Sequence, residues 1–385
     1  MFRFAIKILM GDKAKYIGMI LGLTFASFII VQQAAIFIGL MTRTIGFIED
    51  TSQPNIWVMD PKVKFVDDIK PMNVNELFRV RSIEGVEWAV PMFKGIIRSS
   101  VGDGNFQNTI VIGIDTASFI GRPPILLEGN IENLRNTDAI IVSREGAENQ
   151  LARIDPKTNK KIPLQIGESI EINDNRAVVV GICDISRTFQ TQPVVYTTFR
   201  RAIRFSPIVR KNLSFVLIKS APWIKPQELC DRIERITGLA AYTDEQFRSF
   251  TINYFLKQTG IPVNFGVAIL LGFIIGIAIA GQTFYNFTLD NLRYLGTFKA
   301  MGADNNLLTK MILLQSAVVG TLGWGIGIGA AALFGIVSKG TQLSFLLPWQ
   351  LYLGSYIALL VICLISAYIS INKIRRLEPA IVFKS

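Results

Sequence analysis

Four stretches of the chain carry no charged side chain over more residues than a bilayer crossing requires: 16–41, 261–289, 311–338 and 346–372. A helix needs about 20 apolar residues to traverse the hydrocarbon core, so each stretch predicts a spanning helix, and a wholly soluble fold fits poorly. The first run is 26 residues long with no A-x-A sequence after it. A cleaved leader has an apolar region of only about 7–15 residues before a small-residue cleavage site, so this run reads as a retained anchor. Between the first and second runs, charges recur every few positions and turn residues are frequent, which predicts a large domain outside the membrane.

Charge placement orients the chain. Of 40 Lys and Arg against 29 Asp and Glu, the stretch 43–260 holds 28 and 25, so the surplus lies beside the apolar runs and reads as a membrane pattern with no nucleic-acid partner. Arg3, Lys7, Lys13 and Lys15 precede the first run, Arg293, Lys299 and Lys310 lie between the second and third, and Lys373, Arg375, Arg376 and Lys384 follow the fourth. Only Lys339 lies between the third and fourth. By the positive-inside rule both termini face the cytoplasm and the large domain faces outward. Phe2, Ala5, Ile6 and Leu9 at helical spacing, with Arg3 and Lys7 off that face, suit a helix lying in the interface.

The expected architecture is therefore an α-helical membrane protein with an α+β outer domain: an interfacial segment 1–15, spanning helices at 16–42, 261–289, 311–338 and 346–372, an extracytoplasmic domain 43–260, a cytoplasmic elbow 290–310 and a tail 373–385. Within the outer domain, β-rich runs near 55–59, 109–114, 139–142, 177–182, 194–197 and 213–219 predict strands, and 74–82, 144–152 and 225–237 predict helices. Its length predicts two subdomains, since domains commonly run about 100–150 residues.

The chemistry is constrained by what is missing. With no histidine there is no Ser/His or Cys/His pair and no imidazole metal ligand. Three cysteines, Cys183, Cys230 and Cys363, allow at most the bridge Cys183–Cys230. The adjacent Asp67 and Asp68 read as solvated carboxylates, and DPKTNKK at 155–161 as an exposed basic turn. No catalytic constellation, metal site or cofactor is expected. The spans hold no Asp, Glu or Lys to mark an ion pathway, and the chain has no G-x-x-x-x-G-K-[ST] string for ATP, so if the protein does work, another subunit supplies the energy. Gln32, Gln33, Gln282, Asn286 and Gln315 inside the spans read as interhelical hydrogen-bonding groups. In the third run, Gly323 with Gly327 and Gly325 with Gly329 stand four residues apart, the spacing of close helix packing, either inside one bundle or at a dimer seam or sliding surface between helices.

The segment after the second run reads RYLGTFKAMGA, 293–303: an amphipathic turn with two glycines at the membrane edge, suited to contact with a peripheral ATPase. It resembles the R-E-I-G-x-x-[RK]-A-x-G-A motif of MacB/FtsX-type (type VII, mechanotransmission) ABC transporter permeases through Arg293, Gly296, Lys299, Ala300, Gly302 and Ala303, with Tyr294 in the usual acidic position. The layout of one helix, a large outer domain and three further helices is similar too, with 261–385 corresponding to the FtsX-like permease part. Thr297, Lys299, Ala300 and Gly302, with the tail residues Leu377, Glu378, Pro379, Ala380, Val382 and Phe383, look most like the DevC-like subgroup.

The resemblance implies a bacterial inner-membrane homodimer bound to a separate ABC ATPase, which holds ATP and Mg, while the permease itself carries no cofactor. It also implies a periplasmic outer domain working with an adaptor and a TolC-type duct to expel a lipid, glycolipid or peptide, with membrane lipid around the spans. Arg293, Tyr294, Gly296, Thr297, Lys299, Ala300, Gly302 and Ala303 would form the ATPase-coupling elbow, Lys299 as a charge contact and Gly296 and Gly302 by allowing close approach. Arg375, Arg376, Glu378 and Pro379 would make a secondary cytoplasmic contact. An FtsX-like signal transmitter acting on a cell-wall hydrolase and a LolC/LolE-like lipoprotein-releasing permease are the alternatives of the same topology.

Overall fold

Residues 13–50 contain no proline, and the computed structural model folds them into one helix far longer than a bilayer crossing needs. The structure describes residues 2–101, 106–154, 160–206, 213–338 and 341–375. In chain order the helices are α1 (Phe2–Gly11), α2 (Lys13–Asp50), α3 (Asn75–Arg81), α4 (Phe199–Phe205), α5 (Pro226–Thr237), α6 (Asp244–Gln258), α7 (Ile261–Asp290), α8 (Leu292–Ala300), α9 (Asn305–Ser338) and α10 (Trp349–Arg375). The strands are β1 (Ile56–Met59), β2 (Val86–Ser100), β3 (Phe106–Ile114), β4 (Ile125–Gly129), β5 (Ala139–Ser143), β6 (Arg153–Ile154), β7 (Lys161–Ile162), β8 (Ser169–Ile172), β9 (Asn175–Asp184), β10 (Val194–Thr198), β11 (Phe215–Ser220) and β12 (Ala240–Thr243). The chain divides into two units, 41–259 and the remainder.

In the helical unit, α2, α7, α9 and α10 are each long and apolar enough to cross a membrane, so four candidate spans flank a large α+β domain placed between the first and the second. The helices run past the charge-free stretches: α2 continues to Asp50 and α9 begins at Asn305, while α10 starts only at Trp349, after Pro348. Glycines set the helix spacing. A Cβ on Gly323 would meet Leu23 Cβ at 2.8 Å, and one on Gly327 would meet Ser27 Cβ at 2.6 Å and the Thr24 carbonyl at 2.8 Å, so these two seat α9 on α2. A Cβ on Gly276 would lie 2.8 Å from Ala26 Cβ, which seats α7 on α2 as well. A Cβ on Gly325 or Gly329 would meet nothing within 4 Å, so this second pair seats no helix of the described chain. Two glycine pairs with the same spacing lie on different faces because a shift of two residues rotates a helix by about 200°.

The outer unit is built on a sheet in the order β12-β1-β11-β2-β3-β10-β5-β9-β4, with β8 beside β2 and β9. Alternation places Ile56 and Val58 in one core with α3, α4 and α5, and Trp57 and Met59 in a second core with Ile48 of α2 and Phe247 of α6. Successive side chains point to opposite faces, so a strand buried on both is apolar at every position, as IWVM is. Cys230 belongs to the first core and Cys183 to the second, and both are free thiols, so the bridge left open by the sequence is not formed. Asp67 and Asp68 are not bare carboxylates: Asp67 pairs with Lys94, and Asp68 with Lys70 at 2.7 Å. The run 155–161 lies mostly outside the described residues.

Several elements depart from the expectations. The stretch 144–152 is helical over 144–150 as expected, but residues Gly146–Gln150 form a π-helix. α4 and α6 were not expected; α6 carries a capping box, in which the Thr243 hydroxyl accepts Gln246 N–H at 3.3 Å and the Gln246 side chain accepts Thr243 N–H at 3.0 Å. β2, which carries Pro91, was not expected either. The strand tolerates Pro91 through its geometry. Met92 and Lys94 turn their backbone groups to the β11 side, where Ser214 takes both, so Pro91 turns to the opposite edge, where pairing with β3 begins only at Phe93.

Candidate coupling elbow

The site is the turn between α7 and α9. Asn291 ends α7: its backbone N–H and its Nδ2 both return to the Phe287 carbonyl, at 3.2 and 2.8 Å, which closes the ladder. The chain restarts at once as α8, whose two faces differ sharply. Leu295 and Gly296 are buried, whereas Arg293, Tyr294 and Thr297 are exposed, Tyr294 at 62%. Leu295 packs with Leu308, Met311 and Ile312 of α9 and with Ala367 and Ile371 of α10, and Ile8 and Phe298 close the flank. Full burial of such a leucine is worth about 2 kcal/mol, enough to fix which face of a nine-residue helix turns outward. The Thr297 hydroxyl donates back to the Arg293 carbonyl at 2.8 Å, and Lys299 is half-buried.

The end of α8 explains the glycine in the A-x-G-A string. Gly302 has φ +92°, its N–H bonds the Lys299 carbonyl at 3.1 Å, and Ala303 N–H reaches the Phe298 carbonyl at 3.0 Å. These two bonds with a left-handed residue between them form a Schellman stop, which satisfies carbonyls that a helix end otherwise leaves open. A Cβ on Gly302 would have nothing within 4 Å in this chain, and what the residue supplies here is the positive φ that the stop requires. Beyond it the Asp304 carbonyl accepts Leu307 and Leu308 N–H at 3.0 and 3.3 Å and starts α9. Ala300 closes α8 and Ala303 is half-buried.

Asp290, which the sequence reading passed over, and Lys15, which it counted only as a flanking charge, tie the elbow to the N-terminal segment. The Lys15 ammonium, in the first turn of α2, pairs with Asp290, the last residue of α7, and with Asp12 at 3.0 Å. Each sits at the helix end that disfavours its charge, a cation at an N-terminus and an anion at a C-terminus, so the pair accounts for their placement where the helix dipoles do not. The hydrogen bond from Lys15 holds the Asp12 carboxyl below the usual carboxylate range. The available signal was a lone acid ending an otherwise charge-free run. Arg375 is the last residue of α10, and Arg376, Glu378 and Pro379 lie outside the described residues.

Four candidate spanning helices, with a large α+β domain between the first and second and a short capped helix joining the second to the third, are the layout of a helical membrane protein with one large domain outside the spans. Residues 17–236 match the model of the MacB-like periplasmic core domain, and residues 247–379 match that of the FtsX-like permease C-terminal region. The chain belongs to the MacB/FtsX-like permease family, the permease component of ABC transporters, which is not itself the ATPase and normally works with one. No curated protein matches the chain. Three solved structures overlap about half of it. The extracellular domain of the noncanonic ABC-type transporter YknZ from Gram-positive bacteria is 11% identical, covering 49% of this chain and 98% of that one, TM-score 0.34. The periplasmic region of MacB from Actinobacillus actinomycetemcomitans is 12% identical, covering 55% and 96%, TM-score 0.37. A domain of a putative permease protein from Porphyromonas gingivalis is 13% identical, covering 50% and 90%, TM-score 0.31.

Proposed function

We propose that this permease couples ATP hydrolysis by a separate ATPase to a change of shape in its outer domain, and that the elbow is where the ATPase pushes. The observation that carries the reading is the two-faced α8. Its inner face is locked to α9 and α10 through Leu295, its outer face presents Arg293, Tyr294 and Thr297, and both ends are stopped by hydrogen bonds, so a load on the outer face moves α7 and α9 together. In this reading the chain is a homodimer in a bacterial inner membrane with both termini cytoplasmic. ATP and Mg bind the partner, and the outer domain works with a periplasmic adaptor and a TolC-type duct on a lipid, glycolipid or peptide, as in the DevC-like subgroup.

The test is an affinity purification of the full chain from native membranes in mild detergent, wild type beside Lys299→Glu, with mass spectrometry of everything retained. An ATPase and an adaptor with the wild type, and at least tenfold less ATPase with the variant, are expected. Recovery of a cell-wall hydrolase or a lipoprotein carrier in place of the adaptor would replace the export reading, and equal ATPase recovery by both proteins would remove the role of Lys299.

A further inference from the structure

Among the described residues Lys94 is the one Lys, Arg, Asp or Glu that is buried, 3% exposed, and it lines a cavity of the outer unit walled by apolar Val66, Ile110 and Ile112 and by the charged Arg43 and Asp50. Its ammonium is held by two groups from elsewhere in the chain: the Asp67 carboxylate at 2.5 Å, and the ring of Phe47 in α2, whose centroid lies 3.8 Å away. The nearby Asp50 carboxylate, which lines the same cavity, is already engaged by Ser186, from its N–H at 2.8 Å and its hydroxyl at 2.9 Å. Lys94 also stands at a particular point of the sheet. β2 pairs with β11 from Val86 to Met92 on one edge and with β3 from Phe93 to Ser100 on the other, so the two halves of the sheet are joined through the stagger at Met92–Lys94. There β11 has already ended, and the Ser214 hydroxyl stands in for it, accepting Lys94 N–H and donating to the Lys94 carbonyl, both at 2.9 Å.

We propose that Lys94 is a latch on a hinge: its charge holds the last turns of α2 and the Asp67 loop against the point where the two half-sheets join, and so selects one angle between them. A buried ion pair is a poor source of net stability, because desolvation consumes most of the attraction, yet it tolerates very few arrangements. Methionine at this position would fill the same space with none of that selectivity. Any rotation of one half-sheet against the other that draws Phe47 or Asp67 away leaves the ammonium buried without its carboxylate or its ring, with the remaining carboxylate of the cavity, Asp50, held by Ser186. The domain therefore moves between discrete arrangements in preference to flexing continuously. The inference extends the reading of the outer domain as the moving part, and its test does not involve the ATPase, so the two can fail separately.

The test places spin labels at Phe78→Cys and Ile125→Cys in the full chain in nanodiscs. Phe78 is 59% exposed on α3, which Arg81 ties to the first half of β2 through the Ala89 carbonyl at 2.7 Å. Ile125 is 55% exposed on β4, the outermost strand of the other half. The native latch gives one narrow distance distribution. Lys94→Met with Asp67→Asn, which leaves no unpaired buried charge, keeps the melting temperature within a few degrees and at least doubles the width. Phe47→Leu, which removes the ring and keeps the pair, broadens it as well and serves if the double variant does not fold. A distribution as narrow as the native one in either variant overturns the latch.

Discussion

Gly327→Ala and Gly325→Ala differ by two positions on α9 and have opposite expected outcomes. A Cβ at position 327 would lie 2.6 Å from Ser27 Cβ and 2.8 Å from the Thr24 carbonyl oxygen, against an ordinary contact of 3.4 Å or more. Neither neighbour is the free end of a flexible chain, so α9 must back away from α2 by about 0.7 Å along the seam, and the packing at Gly323 is lost with it. Overpacking of this kind costs roughly 1–3 kcal/mol, and we expect about 2 kcal/mol for Gly327→Ala. At position 325 there is nothing within 4 Å, so only the helix-propensity gain remains, between zero and about 1 kcal/mol in favour of alanine. Unfolding of the full chain in mixed micelles, followed by the denaturing-detergent fraction at the midpoint, separates the two. Equal losses, or a larger loss at position 325, would refute the packing argument and place the closer contact on the outer face.

Gly302→Ala forces a Cβ into a left-handed position and should cost about 1 kcal/mol, read as a roughly fivefold rise in exchange at the Gly302 and Ala303 amides, with Gly302→Asn affected less. Exchanging Lys15 and Asp290 should leave the protein at least as stable as the native chain, because both helix dipoles then favour their end charges, whereas Lys15→Glu alone should lower the melting temperature. Burial pushes the Cys183 and Cys230 thiols up to about 12 from an ordinary value near 9, so maleimide at pH 8 should label neither until the domain unfolds. The sign for stability follows. Below pH 9 the thiol is protonated whether folded or unfolded, and above it only the unfolded chain ionises, so these residues should cost stability as the pH climbs past about 9.

The spanning helices are legible in the sequence because hydrocarbon excludes charge, and 26 or more residues without one leave few alternatives. The elbow's outer face is legible only through its motif. Nothing in RYLGTFKAMGA distinguishes a glycine needed for a positive φ from one needed for close approach, and only the folded chain shows that Gly302 takes the positive φ. Likewise Gly323, Gly325, Gly327 and Gly329 have one spacing between them, and only Leu23, Thr24 and Ser27, some 300 residues away in the chain, decide which pair packs. β2 was hidden because the harm done by Pro91 depends on which edge its nitrogen faces, a property of the partner strands. Lys94 gave no signal at all: its meaning rests on Asp67 and Phe47 arriving at the same place.

The central claim is that the ATPase engages the exposed face of α8. The direct measurement is labelling of Thr297→Cys by a membrane-impermeant maleimide in nanodiscs, with and without the purified partner ATPase, beside Phe78→Cys on the outer domain as a control. The three native cysteines are buried and leave the background clear. Protection of at least tenfold at position 297 when the ATPase is added, altered again by ATP, with no change at position 78, is the predicted result. Equal labelling at position 297 with and without a bound ATPase would contradict it.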